Sequence, residues 1–432
     1  MPTPKYYSSR DQDKNLVSFE DALLKGLAPD GGLYLPEFIP QIDPATWKYA
    51  ASIADIGVNV LYEWLKDEIS LNDLEEIVRD ALNFEVPTTQ LKENLYVLEL
   101  FHGPTLSFKD FGARTMARLM QHFLKKRNEE RIILVATSGD TGSAVADGFA
   151  GMDNIKVVLL YPKGKVSEVQ ERQLIVKRKG VQAVAVKGDF DDCQRLVKEA
   201  FLDPELAHLP LSSANSINIG RLLPQSLYYL WAAADNKQVE PSFCIPSGNL
   251  GNLTSAIFAS LMGLNVKRFI AAHNANDFFP KFLHDEIEAF DFKPTIATLS
   301  NAMDVGAPSN FERLYSLIPK EELSNWIWSS SVNDEDTVRR MKFCYDNYDY
   351  IVCPHTAVGL EAVHRYRKET EDDSDIITVA TASPAKFPEA IAQALWIEPP
   401  NDESLEALKE KETNVVEIKA KIKALKRQIR DL

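Results

Sequence analysis

The chain reads His102-Gly103-Pro104-Thr105-Leu106-Ser107-Phe108-Lys109-Asp110-Phe111-Gly112 at the point where a predicted strand meets a predicted helix. The strand is expected over Asn94 to Phe101, after which Gly-Pro turns the chain. The helix carries apolar residues at helical spacing: Met116, Leu119, Met120, Phe123 and Leu124. The sequence therefore predicts Lys109 at the mouth of a strand-turn-helix unit, between two phenylalanines.

A lysine in this setting has two interpretations. Partial desolvation by Phe108 and Phe111 would lower the pKa of Lys109 and make its neutral, nucleophilic amine accessible. Such an amine forms Schiff bases with carbonyl compounds. Most lysines are instead solvated surface groups. The choice between the two depends on the other motifs of the chain.

The motif resembles the cofactor-lysine segment of one enzyme family. His102-Gly103-Pro104-Thr105, with Phe108-Lys109-Asp110 after it, is similar to the corresponding segment of the threonine synthases. These are pyridoxal 5'-phosphate (PLP) enzymes of the tryptophan-synthase-β-like fold. The resemblance implies that Lys109 is the catalytic, cofactor-binding lysine and that Thr105 and Ser107 contact the substrate. Three further segments match the family in order along nearly the whole chain.

Length and composition limit the class of protein. The 432 residues allow two or three domains, and 45% apolar with 26% charged residues are ordinary values for a globular protein. A net charge of −15 disfavours nucleic acid and anionic membranes as partners. Without a membrane span or a signal segment, we expect a cytoplasmic protein with a small-molecule substrate. The four cysteines and seven histidines show no metal-binding spacing, so no metal is predicted.

Short apolar runs alternate with helical periodicity from Asn94 onward. Further strands are predicted at Arg131 to Ala136, Lys156 to Tyr161, Val181 to Val186, Ser242 to Ile245, Arg268 to Ala272, Tyr350 to Val352 and Ile376 to Thr381. Strands separated by helices form parallel sheets, which makes the fold class α/β. Two groups of strands predict two open, mostly parallel sheets with flanking helices, the PLP fold type II, with ligands at the carboxyl ends of the strands.

Three regions are predicted. Residues 1–93 form a mainly helical N-terminal domain, with helices near Ser18 to Lys25, Thr46 to Leu65 and Leu71 to Leu82. Gly26 to Pro36 resembles a family signature, although a glycine-rich loop that only packs is the better explanation of this segment. Residues 94–400 form the PLP-binding catalytic region, in which two α/β subdomains enclose a cleft. Residues 401–432 are expected to be a C-terminal surface helix.

Thr137-Ser138-Gly139-Asp140-Thr141-Gly142 joins a predicted strand to a helix rich in alanine and valine. Hydroxyls and free N–H groups at a helix N-terminus form an anion site. The same residue types are also common helix caps, so both interpretations stay open. The resemblance implies that Ser138 and Thr141 bind the substrate carboxylate and that Asp140 lies near the cofactor ring oxygen.

Ser247-Gly248-Asn249-Leu250-Gly251-Asn252 precedes another predicted helix. Its glycines allow close approach of backbone N–H groups to a dianion. The spacing fits neither a Rossmann fingerprint nor a P-loop, and a simple turn with a cap is the alternative. The resemblance implies that Gly248, Asn249, Leu250, Gly251 and Asn252 hold the PLP phosphate.

Asn215-Ser216-Ile217-Asn218-Ile219-Gly220-Arg221 is a third polar segment. The planar guanidinium of Arg221 suits a phosphate, whereas the alternative is a turn with a surface arginine. The resemblance implies that Asn215, Ser216 and Arg221 bind the substrate phosphate. Lys163 and Lys165 fit solvated loop charges better than ligands.

The last matching segment contains Thr381. By resemblance, the hydroxyl of Thr381 meets the PLP ring nitrogen, and a neutral hydroxyl favours elimination over transamination. Ser383 departs from the family pattern, which often has His, so its role is open. The role of His355 is also open, because a single histidine at a strand end is usually structural.

The resemblance implies a PLP-dependent lyase that converts O-phospho-L-homoserine and water into L-threonine and phosphate. In the implied mechanism the substrate amine displaces Lys109, and Lys109 then moves protons among the substrate carbons. Two alternatives remain: a PLP-dependent phospho-lyase that gives a 2-oxo acid, and a non-catalytic PLP-dependent metabolite sensor. The protein is expected to be a monomer or a homodimer.

Overall fold

Two large sheets organise the protein in a computed structural model that describes residues 2–235 and 240–431. The strands are β1 Tyr6–Ser8, β2 Tyr34–Pro36, β3 Thr88–Lys92, β4 Leu95–Glu99, β5 Arg131–Ala136, β6 Ile155–Pro162, β7 Val181–Lys187, β8 Leu211–Ser213, β9 Ser242–Pro246, β10 Phe269–His273, β11 Ile327–Ser331, β12 Ile376–Ala380 and β13 Val415–Lys419. The α-helices are α1 Phe19–Lys25, α2 Ala45–Lys48, α3 Ile53–Leu65, α4 Leu71–Ala81, α5 Lys109–Arg127, α6 Asp140–Gly148, α7 Glu168–Ile175, α8 Phe190–Leu202, α9 Ile219–Asp235, α10 Gly251–Leu261, α11 Phe278–Leu283, α12 Asn310–Leu317, α13 Lys320–Trp326, α14 Asp334–Tyr348, α15 Pro354–Thr370, α16 Pro388–Leu395, α17 Glu403–Lys409 and α18 Ile422–Arg430. Short 3₁₀ helices span Asn301–Met303 and Pro384–Lys386.

The sheets are mostly parallel. One has six strands in the order β11-β10-β9-β12-β4-β3, and only β3 runs antiparallel to its neighbour. The other has five parallel strands in the order β13-β7-β6-β5-β8. Strands β9, β10 and β12 are buried along their whole length, as expected where helices cover both faces of a sheet. The α/β class with two mostly parallel sheets is confirmed.

The predicted strand at Tyr350 to Val352 is wrong. These residues carry no strand, because Cys353 is the N-cap of α15 and Pro354 begins that helix. Val352 is buried and accounts for the apolar signal. Strands β11 and β13 were not predicted. Strand β11 is rich in serine, and β13 lies at a sheet edge, where exposed residues alternate with more buried ones.

The N-terminal region is mainly helical, with three differences from the prediction. The helix expected over Thr46 to Leu65 is divided into α2 and α3, and the Ser52 side chain caps the second. Strand β3 pairs with β4, so the six-stranded sheet begins one strand before residue 94. The turn cluster Gly26 to Pro36 contains β2, which pairs antiparallel with β1.

Residues 401–431 are not a single surface helix. They form α17, β13 and α18, and β13 extends the five-stranded sheet by pairing with β7. Leu425 and Ile429 of α18 are buried against the apolar cluster that includes Leu196 of α8. The prediction is therefore corrected: this segment is an integral edge of the second sheet.

Within the described part of the chain, no helix is long and apolar enough to cross a membrane. The same residues contain no cluster of three or more His, Cys, Asp or Glu that could hold a metal ion. All four cysteines are buried free thiols.

Candidate active site

A cavity of about 750 Å³ lies where strands of both sheets end. The loops that follow β4, β9 and β12 reach it from the six-stranded sheet, and those that follow β5 and β8 reach it from the five-stranded sheet. This matches the expectation that ligands of α/β proteins bind at the carboxyl ends of strands.

Most of the predicted site residues line this one cavity. They are Lys109, Ser138, Asp140, Thr141, Asn215, Ser216, Arg221, Gly248, Asn249, Leu250, Gly251, Asn252 and Thr381. Thr105 and Ser107 do not line it: the Thr105 hydroxyl donates to Asp110 Oδ1 over 2.6 Å, and Ser107 is fully buried. The prediction that these two residues contact the substrate is therefore not supported by their positions.

Lys109 is the first residue of α5 and has an environment that opposes its charge. Burial, together with the nearby Arg221 and Lys386 cations, lowers the pKa of Lys109 to about 8, although Asp140 acts in the opposite direction. The Lys109 ammonium lies over the Phe108 ring, 4.7 Å from its centroid. A neutral amine is therefore accessible near neutral pH, as a Schiff-base lysine requires.

Asp140 is a buried carboxylate that two side chains from distant parts of the sequence hold in place. Its Oδ1 accepts from Lys386 Nζ at 2.8 Å and from Gln170 Nε2 at 3.0 Å. The Lys386 and Lys109 cations overcome the effect of burial and hold the pKa of Asp140 well below its usual range. Asp140 therefore stays ionised, and its fixed negative charge faces Lys109.

The loop before α6 divides its polar groups between capping and the cavity. Thr137 Oγ1 accepts from the Gly139 N–H at 3.0 Å and from the Gly142 N–H at 2.8 Å. The half-buried Ser138 and Thr141 line the cavity at the same helix N-terminus. Both interpretations of this loop thus apply, to different residues: Thr137 caps, while Ser138 and Thr141 are available to an anion.

The loop before α10 brings backbone N–H groups to the cavity. Leu250, the N-cap, has φ 60°, and a Cβ on Gly248 would lie 2.7 Å from Met303 Cα, so the backbone approaches closely only with glycine there. Asn252 Oδ1 accepts from the hydroxyls of Tyr228 and Tyr229. These tyrosines fix the amide of Asn252, whose buried Nδ2 has no hydrogen-bond partner in the described part of the chain.

Arg221 is a buried cation in the same cavity. Only 1% of Arg221 is exposed, its Nη1 donates to Ala214 O at 2.7 Å, and its Nε has no hydrogen-bond partner. Burial lowers the pKa of Arg221 to about 10. Among residues 2–235 and 240–431, no carboxylate forms an ion pair with it. A buried arginine without a counter-ion is suited to an anionic ligand.

Asn215 and Ser216 lie between the two groups that are candidates for binding phosphate, Arg221 and the loop before α10. Asn215 Nδ2 donates to Ala136 O at 2.8 Å, and Ser216 Oγ accepts from Asn249 Nδ2 at 2.6 Å. The loop after β8 is thus tied to the loops after β5 and β9. Lys163 pairs with Glu417 on β13 and, like Lys165, is not among the cavity residues.

Thr381 and His355 complete the cavity wall. Thr381 directly follows β12 and lines the cavity. His355 Nε2 accepts from the Ala302 N–H at 3.1 Å, and burial lowers the pKa of His355 to about 4, so the ring is neutral. Ser383 does not line the cavity; its hydroxyl accepts from the Ala385 N–H at 3.3 Å and caps a 3₁₀ turn.

Sequence reasoning missed four side chains that support the site: Lys386, Gln170, Tyr228 and Tyr229. Lys386 lies in the segment that contains Thr381 but was given no role, and the other three lie outside the matching segments. Each acts through a neighbour that is distant in sequence. Only Lys386 could have been noticed in the sequence, because a lysine in an otherwise apolar segment indicates a buried charge.

Profiles of three families match the sequence. The family described as "Pyridoxal-phosphate dependent enzyme" matches residues 81–382. "Threonine synthase N terminus" matches residues 5–82, and "Threonine synthase, C-terminal" matches residues 356–429.

Individual relatives agree with the profiles. The threonine synthase of Haemophilus influenzae is 41% identical over 400 residues, which are 90% of this chain and 91% of that protein. The crystal structure of threonine synthase from Escherichia coli has a TM-score of 0.91 at 38% identity, with 99% of each chain covered. The PLP-bound threonine synthase from Brucella melitensis has a TM-score of 0.91 at 33% identity, again with 99% of each chain covered.

The residues of the cavity fit PLP. Lys109 has an amine of lowered pKa, and the N-terminus of α10 lines the cavity with its first residues. Asn252 Nδ2 has no hydrogen-bond partner among residues 2–235 and 240–431 and is available to donate. The resemblance seen in the sequence and the cofactor it implies are confirmed. The chain belongs to the threonine synthase family of pyridoxal-phosphate dependent enzymes.

Proposed function

We propose that this protein converts O-phospho-L-homoserine and water into L-threonine and phosphate. Arg221 is the observation that carries the proposal: it is buried in the cavity that contains Lys109, and no carboxylate of the described residues forms an ion pair with it. The N-terminus of α10 offers a separate site for the cofactor phosphate. A second phosphate site in the same cavity indicates a phosphorylated substrate.

Four groups would hold the cofactor: Lys109, Asp140, Thr381 and the loop Gly248 to Asn252. When bound, PLP supplies an electron sink for negative charge at the carbons next to the substrate amine. The neutral hydroxyl of Thr381 does not stabilise a protonated ring nitrogen, which favours elimination over transamination.

The remaining residues have separate roles toward the substrate. Arg221, with Asn215 and Ser216, binds the phosphate and stabilises it as it leaves Cγ. Ser138 and Thr141 at the N-terminus of α6 bind the substrate carboxylate. Thr105 and Ser107 are not proposed as substrate contacts.

Proton transfer is assigned to Lys109. Phosphate leaves from Cγ, whereas the product has a hydroxyl at Cβ and a methyl at Cγ, so Cγ must gain a proton during turnover. The flexible side chain of Lys109, with a pKa of about 8, can accept a proton at one carbon and donate it at another.

Product analysis tests the proposal. The protein, incubated with O-phospho-L-homoserine, should release phosphate and L-threonine. In deuterated water the product methyl should contain solvent deuterium, and oxygen-labelled water should place its label at Cβ. Formation of 2-oxobutanoate alone would favour the phospho-lyase alternative, homoserine would indicate simple hydrolysis, and no product at all would favour the sensor.

A second measurement tests the lysine itself. Borohydride should attach the cofactor irreversibly to a peptide that contains Lys109, and the Lys109→Ala protein should show no such adduct. A trapped adduct in the variant would contradict the assignment of this residue.

Our proposals for the compartment and the oligomeric state of the protein rest on its sequence. We propose a cytoplasmic protein that is a monomer or a homodimer and that binds no nucleic acid, in line with its net charge of −15. Light scattering of the purified protein would give the oligomeric state.

A further inference from the structure

Lys386 is a fully buried lysine beside the site. It ends the 3₁₀ turn Pro384–Lys386, which follows β12, and none of its surface is exposed. Its Nζ donates to Asp140 Oδ1 at 2.8 Å and to the Thr105 backbone oxygen at 2.8 Å. A lysine buried this deeply needs a partner charge, and Asp140 is that charge.

The Lys386–Asp140 ion pair joins the loops of the two sheets. Lys386 comes from the six-stranded sheet, and Asp140 begins α6 after β5 of the five-stranded sheet. Ser167 Oγ donates to Lys386 O at 3.1 Å, and Gln170 Nε2 donates to Asp140 at 3.0 Å. Both ends of the pair are therefore fixed by α7 and the residues around it.

Several charged and titratable groups face one another here. Asp140 interacts electrostatically with Lys386, Lys109 and His355, and Lys109 also interacts with Arg221. Asp110 interacts with Lys386 from the first turn of α5. Within the described ranges 2–235 and 240–431, Asp140 has an ion-pair contact with Lys386 and none with Lys109.

We propose that Lys386 is a positioning residue for Lys109: its ammonium engages the Asp140 carboxylate, so that this carboxylate does not pair with Lys109. The proposal rests on the proposed role of Lys109 as the cofactor lysine. The proposal explains why the Lys109 amine remains free to react although the buried Asp140 carboxylate faces it.

Two effects follow from removal of the Lys386 charge, and both act in the same direction. Lys109 loses the repulsion of a neighbouring cation. Asp140, left buried without its partner, then gains most by pairing with Lys109, because an uncompensated buried carboxylate is unfavourable. Each effect stabilises the protonated form of Lys109, so its neutral fraction at neutral pH falls.

The test measures the protonation of Lys109 directly in the full-length chain freed of cofactor. A limited amount of an amine-acylating reagent is applied across a range of pH, and mass spectrometry gives the labelled fraction of the Lys109 peptide. In the Lys386→Met protein the midpoint for Lys109 should move upward by about one pH unit or more, as expected when an opposite charge comes within pairing distance. Lys386→Arg, which keeps the charge, should move it less.

The variant Lys177→Met is the matched control, because Lys177 is an exposed lysine paired with Glu412 away from the cavity. It should leave the Lys109 midpoint unchanged. The double variant Lys386→Met with Asp140→Asn should lack the upward shift, since the carboxylate at position 140 is no longer there to pair with Lys109.

A Lys109 midpoint that stays in place in a folded Lys386→Met protein overturns the proposal and leaves Lys386 a structural role. If Lys386→Met does not fold, Lys386→Gln keeps a donor for Thr105 O without the charge and is judged by the same shift. Because no cofactor or substrate is present, this outcome is independent of borohydride trapping and of the reaction product.

Discussion

Lys109 is held in the folded protein at a cost to stability. Burial lowers its pKa to about 8 from an ordinary value of 10.5, so the folded chain binds fewer protons than the unfolded chain between these two values. Stability from this group therefore rises with pH across that window. The free-energy cost of burying the charged Lys109 is fully present below about pH 8 and disappears above its ordinary pKa of 10.5.

The first prediction follows from this sign. In cofactor-free protein, Lys109→Met should increase the free energy of unfolding at pH 7, because the apolar side chain has no charge to desolvate. The gain should shrink as the pH rises toward 10.5. Urea unfolding at several pH values measures it, with Lys177→Met as the exposed control. A gain that does not depend on pH would contradict the explanation.

The second prediction concerns substrate binding by Arg221. Loss of its guanidinium in Arg221→Ala should weaken substrate binding by about 1.5–3 kcal/mol, the range for hydrogen bonds to charged groups, while PLP stays bound. Substrate binding and the visible absorbance of the cofactor are the two measurements. Lys163→Ala and Lys165→Ala, outside the cavity, are the controls. Unchanged binding in Arg221→Ala would redirect attention to these two lysines.

At the scale of elements, the contact between α5 and α9 sets the position of Arg221. A Cβ on Gly112 of α5 would lie 2.7 Å from Arg221 O and 3.0 Å from its Nε. The two helices therefore approach closely only because residue 112 is glycine, and Arg221 is held against α5.

The third prediction concerns this contact. Gly112→Ala should destabilise the protein by about 1–3 kcal/mol through overpacking, which exceeds the gain of up to about 1 kcal/mol in helix propensity. It should also weaken phosphate binding, since Arg221 must move. Gly148→Ala is the milder comparison, because its Cβ would lie 3.2 Å from the Ala113 backbone, a tight contact that requires a smaller shift than the contact at Gly112. Thermal unfolding and phosphate titration compare them, and equal effects of the two variants would refute the prediction.

The elements that carry chemistry were predictable because each combines a buried strand with a polar loop. The strand at Arg131 to Ala136 and the start of α5 agree with the sequence pattern. The apolar run at Tyr350 to Val352 was wrongly predicted to be a strand, because a short buried segment before a helix has the same composition as a strand. The Lys386–Asp140 ion pair could not be predicted, since only the approach of two separate sheets brings the residues together.

At the scale of the whole molecule, the C-terminal segment completes a sheet. Leu425 of α18 is fully buried among residues of β6, β7 and α8. The fourth prediction is that Leu425→Ala costs about 2–5 kcal/mol, the usual range for a buried leucine. Lys423→Ala on the exposed face should change stability by no more than about 0.5 kcal/mol. Urea unfolding decides, and equal effects would show that α18 lies on the surface without contributing to the core.

The position of β13 also constrains how the chain is made. Its partner β7 leaves the ribosome more than two hundred residues earlier, since β7 spans Val181–Lys187 and β13 spans Val415–Lys419. Likewise β12 lies between β4 and β9, so β3 and β4 cannot join β9, β10 and β11 before β12 has been synthesised. The six-stranded sheet is incomplete until β12 has been synthesised and the five-stranded sheet until β13 has, so edges of the earlier strands stay unpaired up to those points. Parallel pairing over such long sequence separations is slow, which prolongs the time for which these strand edges are exposed during folding.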